Sequence, residues 1–280
     1  MELLRLSAAG KRYRRSGDWV LREVELALGP GALVRIEGAN GSGKSTLLKL
    51  VAGIEPPSRG RVRVAGRTAY VPERFPPALP FEAAGYLRHL GRIHGLGSAA
   101  AAERADFWLD RFGLADRAGT PLDRLSKGSC QKVAVAQALL ADAEVLLLDE
   151  AWTGLDQAAR ATLDEAAADR AEAGGLVLFV DHDPTRLAGR TGRAFRVAGA
   201  GLRELAPPAA ARAPQQLMTV VVAAAELPDG LPGAPERAAG PDGTVRLTVA
   251  ADHSDALLRR LLTAAEPVRV LDVHRVGAAR

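Results

Sequence analysis

The sequence predicts an α/β fold with a mostly parallel central sheet, followed by a small α+β appendage. Three observations carry that prediction. A glycine-rich loop, Gly38-Ala39-Asn40-Gly41-Ser42-Gly43-Lys44-Ser45-Thr46, joins the apolar run Leu33 to Ile36 to a helix-compatible run, Thr46 to Val51. Two later runs, Val145 to Leu148 and Leu176 to Val180, are apolar at every position, as strands buried on both faces are. A helical stretch separates them, so strand, helix and strand follow in the order a parallel sheet requires.

Composition narrows the class. At 280 residues there is room for one large domain and a small one. Hydrophobic residues make up 48%, an ordinary globular share. The net charge of +4, from 37 basic and 33 acidic residues, is spread along the chain, so nucleic acid is not an expected partner. Cys130 is the single cysteine, which excludes an internal disulfide and suits a reducing compartment. Met1 to Arg5 passes directly into a strand-like pattern, so no leader is expected. No apolar run approaches the ~18 residues of a membrane span. The chain is expected to be soluble, with any membrane role exerted through a partner.

Taken in order, Glu2 to Leu6 and Trp19 to Leu28 alternate as strands do, and Gly29-Pro30-Gly31 turns the chain toward the loop. Tyr13 lies upstream, where an aromatic ring could stack on a base, or simply sit half-buried in a strand. The helix after the loop ends near Ala52-Gly53. Two short strands follow, Arg61 to Ala65 and Arg67 to Val71, with a turn at Gly66. Pro72-Glu73-Arg74-Phe75-Pro76-Pro77 is a proline-stiffened loop. Glu82 to His94 then carries Ala84, Leu87, Leu90 and Ile93 on one helical face, and Ala99 to Phe112 carries Ala102, Ala105, Trp108, Leu109 and Phe112. These helices form an insert over about 74–141. His89 and His94 belong to it as surface residues.

Leu125-Ser126-Lys127-Gly128-Ser129-Cys130-Gln131-Lys132 opens a helix over Val133 to Ala141. Asp149-Glu150 end the first apolar strand, and Ala151-Trp152-Thr153-Gly154-Leu155-Asp156 leads into a helix running to about Glu172. Gly174-Gly175 closes that helix. The second apolar strand ends in Asp181-His182-Asp183-Pro184. These elements make one domain over 1–205. Residues 206–216 are rich in Pro and Ala and read as a linker. A small domain over 217–280 follows, with strands at Leu217–Ala223, Thr244–Ala250 and Pro267–Val273, a helix at Ser254–Ala265 and a loose loop over 228–243. His253 and His274 are structural there.

The loop carries the chemistry. Glycines let the backbone wrap closely round an anion, and loop amides with a helix N-terminus then face the phosphates. Lys44 is one of five lysines in an arginine-rich chain, and a compact ammonium suits a phosphate loop as a point charge. Lys44 is expected on the β- and γ-phosphates and the Ser45 hydroxyl on Mg2+.

Order and spacing over residues 1 to about 205 resemble the nucleotide-binding subunit of an ATP-binding cassette (ABC) transporter. Gly38 to Ser45 resemble its Walker A loop, and Val145 to Asp149 its Walker B strand, with Glu150 at the place of the catalytic glutamate. Leu125 to Ser129 resemble the signature motif, Thr153 to Asp156 the D-loop, and His182 the switch histidine. Tyr13 lies where the family keeps its adenine-stacking aromatic. The resemblance implies a P-loop NTPase fold with an antiparallel β subdomain and a helical insert. It implies ATP and Mg2+ as cofactors, held by Tyr13, Gly38, Ala39, Asn40, Gly41, Ser42, Gly43, Lys44, Ser45 and Thr46. Asp149, Ser45 and Glu73 would hold the metal, and Glu150 and His182 would act on the attacking water. Ser126 and Gly128 of a second cassette, in a homo- or heterodimer, would close the site. An integral membrane permease would be the other partner, holding the chain on the cytoplasmic face of the membrane, with 72–90 receiving its helices.

Three positions depart from the family pattern. Glu73 stands where glutamine is usual, and two unit charges 4 Å apart cost about 4 kcal/mol at an effective dielectric of 20. Lys127 replaces a signature glycine. Trp152 replaces the D-loop proline, where packing at the cassette interface is one account. Glu73 with Leu125-Ser126-Lys127-Gly128 resembles the branch that serves ABC-2-type exporters. The alternatives are a non-transport cassette ATPase and a regulatory cassette with weak hydrolysis.

Overall fold

The computed structural model describes residues 2–73, 75, 79–205, 217–223, 227–228, 231–240, 243–263 and 268–275. The linker expected at 206–216 lies outside the described residues. The chain divides into two compact units, 1–209 and 210–280.

In the first unit, strands β1 (Leu4–Lys11), β2 (Leu21–Leu28) and β3 (Leu33–Glu37) precede helix α1 (Lys44–Val51). Strands β4 (Arg59–Val64) and β5 (Thr68–Val71) lead to helices α2 (Ala83–Ile93), α3 (Ser98–Arg111) and α4 (Lys127–Leu140). Then come β6 (Val145–Asp149), α5 (Gln157–Glu172), β7 (Leu176–Val180), β8 (Arg193–Ala198) and β9 (Gly201–Glu204). Six strands form one sheet in the order β5-β6-β7-β3-β8-β9, parallel except for β9. An antiparallel sheet, β2-β1-β4, forms the second layer.

Both faces of the parallel sheet are covered, which is why β6 and β7 show no alternation. Val145, Leu147, Leu176 and Leu178 pack with α1 and the antiparallel sheet. Leu146, Leu148, Val177 and Phe179 pack with residues of α2 to α5. The connections bring the ends of β3, β6 and β7 side by side, and in such sheets ligands bind at the carboxyl ends of the strands.

The two short strands expected at 61–65 and 67–71 lie in different sheets. β4 pairs with β1, placing Val62 and Val64 opposite Leu6 and Leu4, whereas β5 runs parallel to β6. Gly66, at φ +98°, lies where the chain passes from one sheet to the other. Ile93 is 65% exposed. The buried stripe of α2 runs through Ala83, Leu87 and Gly91, a spacing of four that leaves Ile93 outside it. Helix α4 begins at Lys127 rather than Val133, with Ser126 as its N-cap.

The second unit has its own sheet and core. β10 (Leu217–Ala223), β11 (Glu236–Ala239), β12 (Thr244–Ala250), α6 (Ala251–Leu262) and β13 (Arg269–Arg275) follow in sequence. The strands are antiparallel in the order β11-β12-β10-β13. Val220, Val222, Leu247 and Val249 alternate inward against Leu257 and Leu261 of α6. β11 lies inside the stretch 228–243 read as a loose loop. Its four residues are all exposed, so no hydrophobic signal marked it.

Candidate functional site

The loop between β3 and α1 is shaped by glycines. Gly43 caps α1 at φ +109°, and a Cβ there would lie 3.0 Å from the Val20 carbonyl oxygen. A side chain at Gly38 would come 2.7 Å from the Val197 carbonyl oxygen. The first turn of α1 carries no acidic residue of its own, and the first N–H groups of a helix have no partner within it. Lys44 is 7% exposed, and its Nζ donates to the carbonyls of Gly38 and Ala39, both at 3.1 Å. Ser42 N donates to the Ala39 carbonyl at 3.1 Å, turning the loop past Asn40 and Gly41.

Asp149 ends β6 and is buried. Ser45 Oγ donates to its Oδ1 at 3.1 Å, and the Tyr70 hydroxyl to its Oδ2 at 2.9 Å. Burial pushes the Asp149 carboxyl above its usual range against those two hydrogen bonds, and the nearby Glu73 charge adds to the rise. Burial, followed by Asp149, pushes the Tyr70 phenol up as well. Ser45 and Asp149 thus present adjacent oxygen donors on which a cation would relieve the cost of burying a carboxylate. That donor set fits Mg2+, which takes one or two protein oxygens and completes its shell with water and phosphate. Among the described residues, no three His, Cys, Asp or Glu side chains form a metal-holding group of their own.

Glu150 follows with φ +52°, a left-handed backbone that costs a residue with a Cβ on the order of 1–3 kcal/mol. Its N–H donates to the Val180 carbonyl at 3.1 Å, fixing it to the end of β7. Its Oε1 lies 2.9 Å from His182 Nε2. His182 and Lys44 line one cavity of about 270 Å³ with Arg35, Glu37, Gly38 and Asp181. The structure therefore brings Lys44, Ser45, Asp149, Glu150 and His182 into one neighbourhood.

The other candidate residues stand further out. Tyr13 is 59% exposed; its hydroxyl lies 3.2 Å from Thr46 Oγ1 and donates to Glu55 at 3.1 Å. Lys11 Nζ lies 5.3 Å from the centre of its ring. Glu73 lines a second cavity of about 490 Å³ with Leu125, Lys127, Gln131 and Thr153. Ser126 accepts from the Ser129 N–H at 3.1 Å, and a Cβ on Gly128 would lie 2.9 Å from the Gly154 carbonyl oxygen. Among the described residues, neither Ser126 nor Gly128 is hydrogen-bonded to the loop 38–46.

Trp152 corrects the expectation of interface packing. It is 2% exposed, its ring meets Phe179 edge-on at 5.7 Å, and its N–H donates to Asp164 at 2.8 Å. Sequence reasoning also passed over Tyr70 and Arg35. For Arg35 there was a signal: a charge in an apolar strand. The insert histidines are peripheral, His89 stacked on Phe81 at 5.4 Å and His94 half-buried, with burial lowering its pKa.

The family model described as "ABC transporter" matches residues 21–153. The zinc import ATP-binding protein ZnuC of Cereibacter sphaeroides is 41% identical over 175 residues, covering 61% of this chain and 69% of that protein. The cytochrome c biogenesis ATP-binding export protein CcmA of Chelativorans sp. is 32% identical, covering 66% of this chain and 95% of that one. The solved dimeric post-hydrolysis state of an ATP-binding cassette, bound to ADP and Pi, shares the fold. Its TM-score is 0.65 at 23% identity, over 72% of this chain and 97% of that one.

Proposed function

The chain belongs to the ABC transporter family as an ATP-binding subunit that hydrolyses ATP, and from that premise we propose that it powers a separate membrane permease that exports its cargo. The observation that carries the reading is the meeting of Lys44, Ser45, Asp149, Glu150 and His182 at the carboxyl ends of three adjacent parallel strands. The amides of 38–46 and the start of α1 take the phosphates, and Lys44 exchanges the Gly38 and Ala39 carbonyls for phosphate oxygens. Ser45 and Asp149, with Glu73 nearby, hold Mg2+, which when bound neutralises charge on the transferring phosphoryl group. The Glu150 carboxylate accepts the proton of the attacking water, and His182 Nε2 keeps that carboxylate in place. The exposed ring of Tyr13 stacks on the base.

Ser126 and the Gly128 amide have no part in the loop of their own chain, which supports a role on the nucleotide of a second copy. ATP then clamps two cassettes together, and hydrolysis releases them. Among the described residues no helix is long and apolar enough to cross a membrane. In this reading the permease holds the chain on the cytoplasmic face. Glu73 and the run Leu125 to Gly128 support the exporter branch, as does a match along nearly the whole of an export protein. The 41% relative imports zinc, so direction needs its own assay.

Glu150→Gln removes the base and leaves the phosphate grip. With ATP it is expected to run as a dimer in size exclusion, and without ATP as a monomer. A monomer under both conditions rejects the clamp. Direction is tested with the permease in inside-out vesicles, where export appears as ATP-dependent accumulation in the lumen and import as its depletion.

A further inference from the structure

We propose that Arg35, Arg186 and Trp152 form a positioning device that holds His182 against Glu150, setting the rate of hydrolysis but not the affinity for ATP. The inference rests on the roles given to Glu150 and His182 above.

Arg35 is a charge in an otherwise apolar strand, and it is 7% exposed. Removing such a cation from water costs several kcal/mol unless its donors find partners. The two terminal nitrogens find them in one turn. Nη1 donates to the carbonyls of Pro184 at 3.1 Å and Arg186 at 3.5 Å. Nη2 donates to those of Asp181 at 3.1 Å and Asp183 at 2.7 Å. Nε lies 3.3 Å from Glu37, and the guanidinium packs on Phe179 at 5.7 Å. The segment carrying His182 is therefore wrapped round a cation supplied by β3. Arg35 lines the cavity it shares with His182, yet its terminal nitrogens are directed at main-chain oxygens.

The second anchor is a shared carboxylate. Asp164 on α5 accepts from Trp152 Nε1 at 2.8 Å through Oδ1, and from Arg186 Nη1 at 2.9 Å through Oδ2. Arg186 also lies 3.6 Å from Asp181 and 3.5 Å from Asp183, and its guanidinium sits 5.5 Å from the Trp152 ring centre. Trp152 follows Glu150 by two residues, and Arg186 follows His182 by four. Asp164 thus ties together the two segments that bear the partners of the 2.9 Å Glu150–His182 contact. Four separate stretches contribute: β3, the turn after Glu150, α5 and the turn after β7. No local propensity requires that convergence. Misplacing a reacting group by about 1 Å can cost on the order of 100-fold in rate.

The test uses the full chain with conservative variants. Trp152→Phe keeps an aromatic ring but removes the indole N–H together with part of the bicycle, and Arg186→Lys deletes the fork. Asp164→Asn serves as a third route should either fold poorly. Each is measured with His182 present and in a His182→Ala background, by single-turnover hydrolysis, KM for ATP and thermal melting. The expected result is a loss of about tenfold or more in kcat, KM within twofold, and no further loss once His182 is absent. Equal losses in both backgrounds, a change confined to KM, or unaltered kcat overturns the proposal while leaving the cassette reading intact. A wild-type rate in His182→Ala alone removes the premise, and the proposal with it.

Discussion

Lys44 shows at the residue scale how a binding loop prepares for an anion. Its ammonium already donates to two carbonyls at 3.1 Å, so binding exchanges neutral acceptors for charged ones, a stronger hydrogen bond. Hydrogen bonds to charged groups are worth about 1.5–3 kcal/mol, so Lys44→Ala is expected to weaken ATP binding by roughly 10- to 100-fold in a fluorescent-nucleotide titration. Unchanged affinity would place the phosphates elsewhere. Asp149 makes a complementary case. Its folded pKa is raised, so between the unfolded value, about 4, and the folded value the folded state binds the extra proton. Stability therefore falls as pH rises through that window, and stays low above it. Asp149→Asn has no such charge to bury. It is expected to melt above the wild type at pH 7.5 without Mg2+-nucleotide, to lose that advantage below about pH 4, and to lose hydrolysis. A lower melting temperature at both pH values would show that the two hydrogen bonds to Asp149 outweigh its burial.

At the scale of elements, two helices start on side-chain caps. Ser126 caps α4, and Asp156 caps α5 through the Ala159 N–H at 2.9 Å. Losing the Ser126 cap costs about 1 kcal/mol, so Ser126→Ala is expected to lower the melting temperature by roughly 2–4 °C. Ser126→Asp keeps a capping oxygen but sets a negative charge where a partner's γ-phosphate would lie. Placed in Glu150→Gln, it is expected to keep the melting temperature and abolish the ATP-dependent dimer on size exclusion. A dimer that persists would confine Ser126 to capping. The same elements show what a linear reading can see. β6, β7 and α5 were legible because burial on both faces leaves an unbroken apolar run, and because Asp156 and Gly174 punctuate the helix between. The start of α4 was read six residues late, since Lys127 to Lys132 carry few of the apolar side chains that mark a helix. The split of β4 and β5 into separate sheets was not legible, because both are short and only pairing partners distant in sequence decide between them. The motif residues of the site were legible because loop chemistry is local. The grip of Arg35 on Pro184 was not, because 149 residues separate them.

The molecule as a whole carries separate cores. The first unit buries residues on both faces of its parallel sheet. Among the described residues the second has a cluster of its own, which includes Val220, Val222, Leu247, Val249, Leu257 and Leu261. A domain of that size hides a smaller share of its surface and is correspondingly marginal. Two cores of unequal size are expected to melt as two calorimetric transitions, and a single two-state fit would then be invalid. The site residues all belong to the first unit, so nucleotide linkage acts on one transition only. At a ligand concentration 100 times Kd, binding adds about 2.7 kcal/mol, which for a unit of this size is roughly 5–10 °C. Glu150→Gln with Mg2+-ATP is expected to move the larger transition upward by that amount and to leave the smaller one where it was. If both transitions move together, or only one is seen, the two units unfold as a single cooperative body. Nucleotide bound in the first unit would then stabilise the second as well, giving the C-terminal sheet a share in the response to ATP.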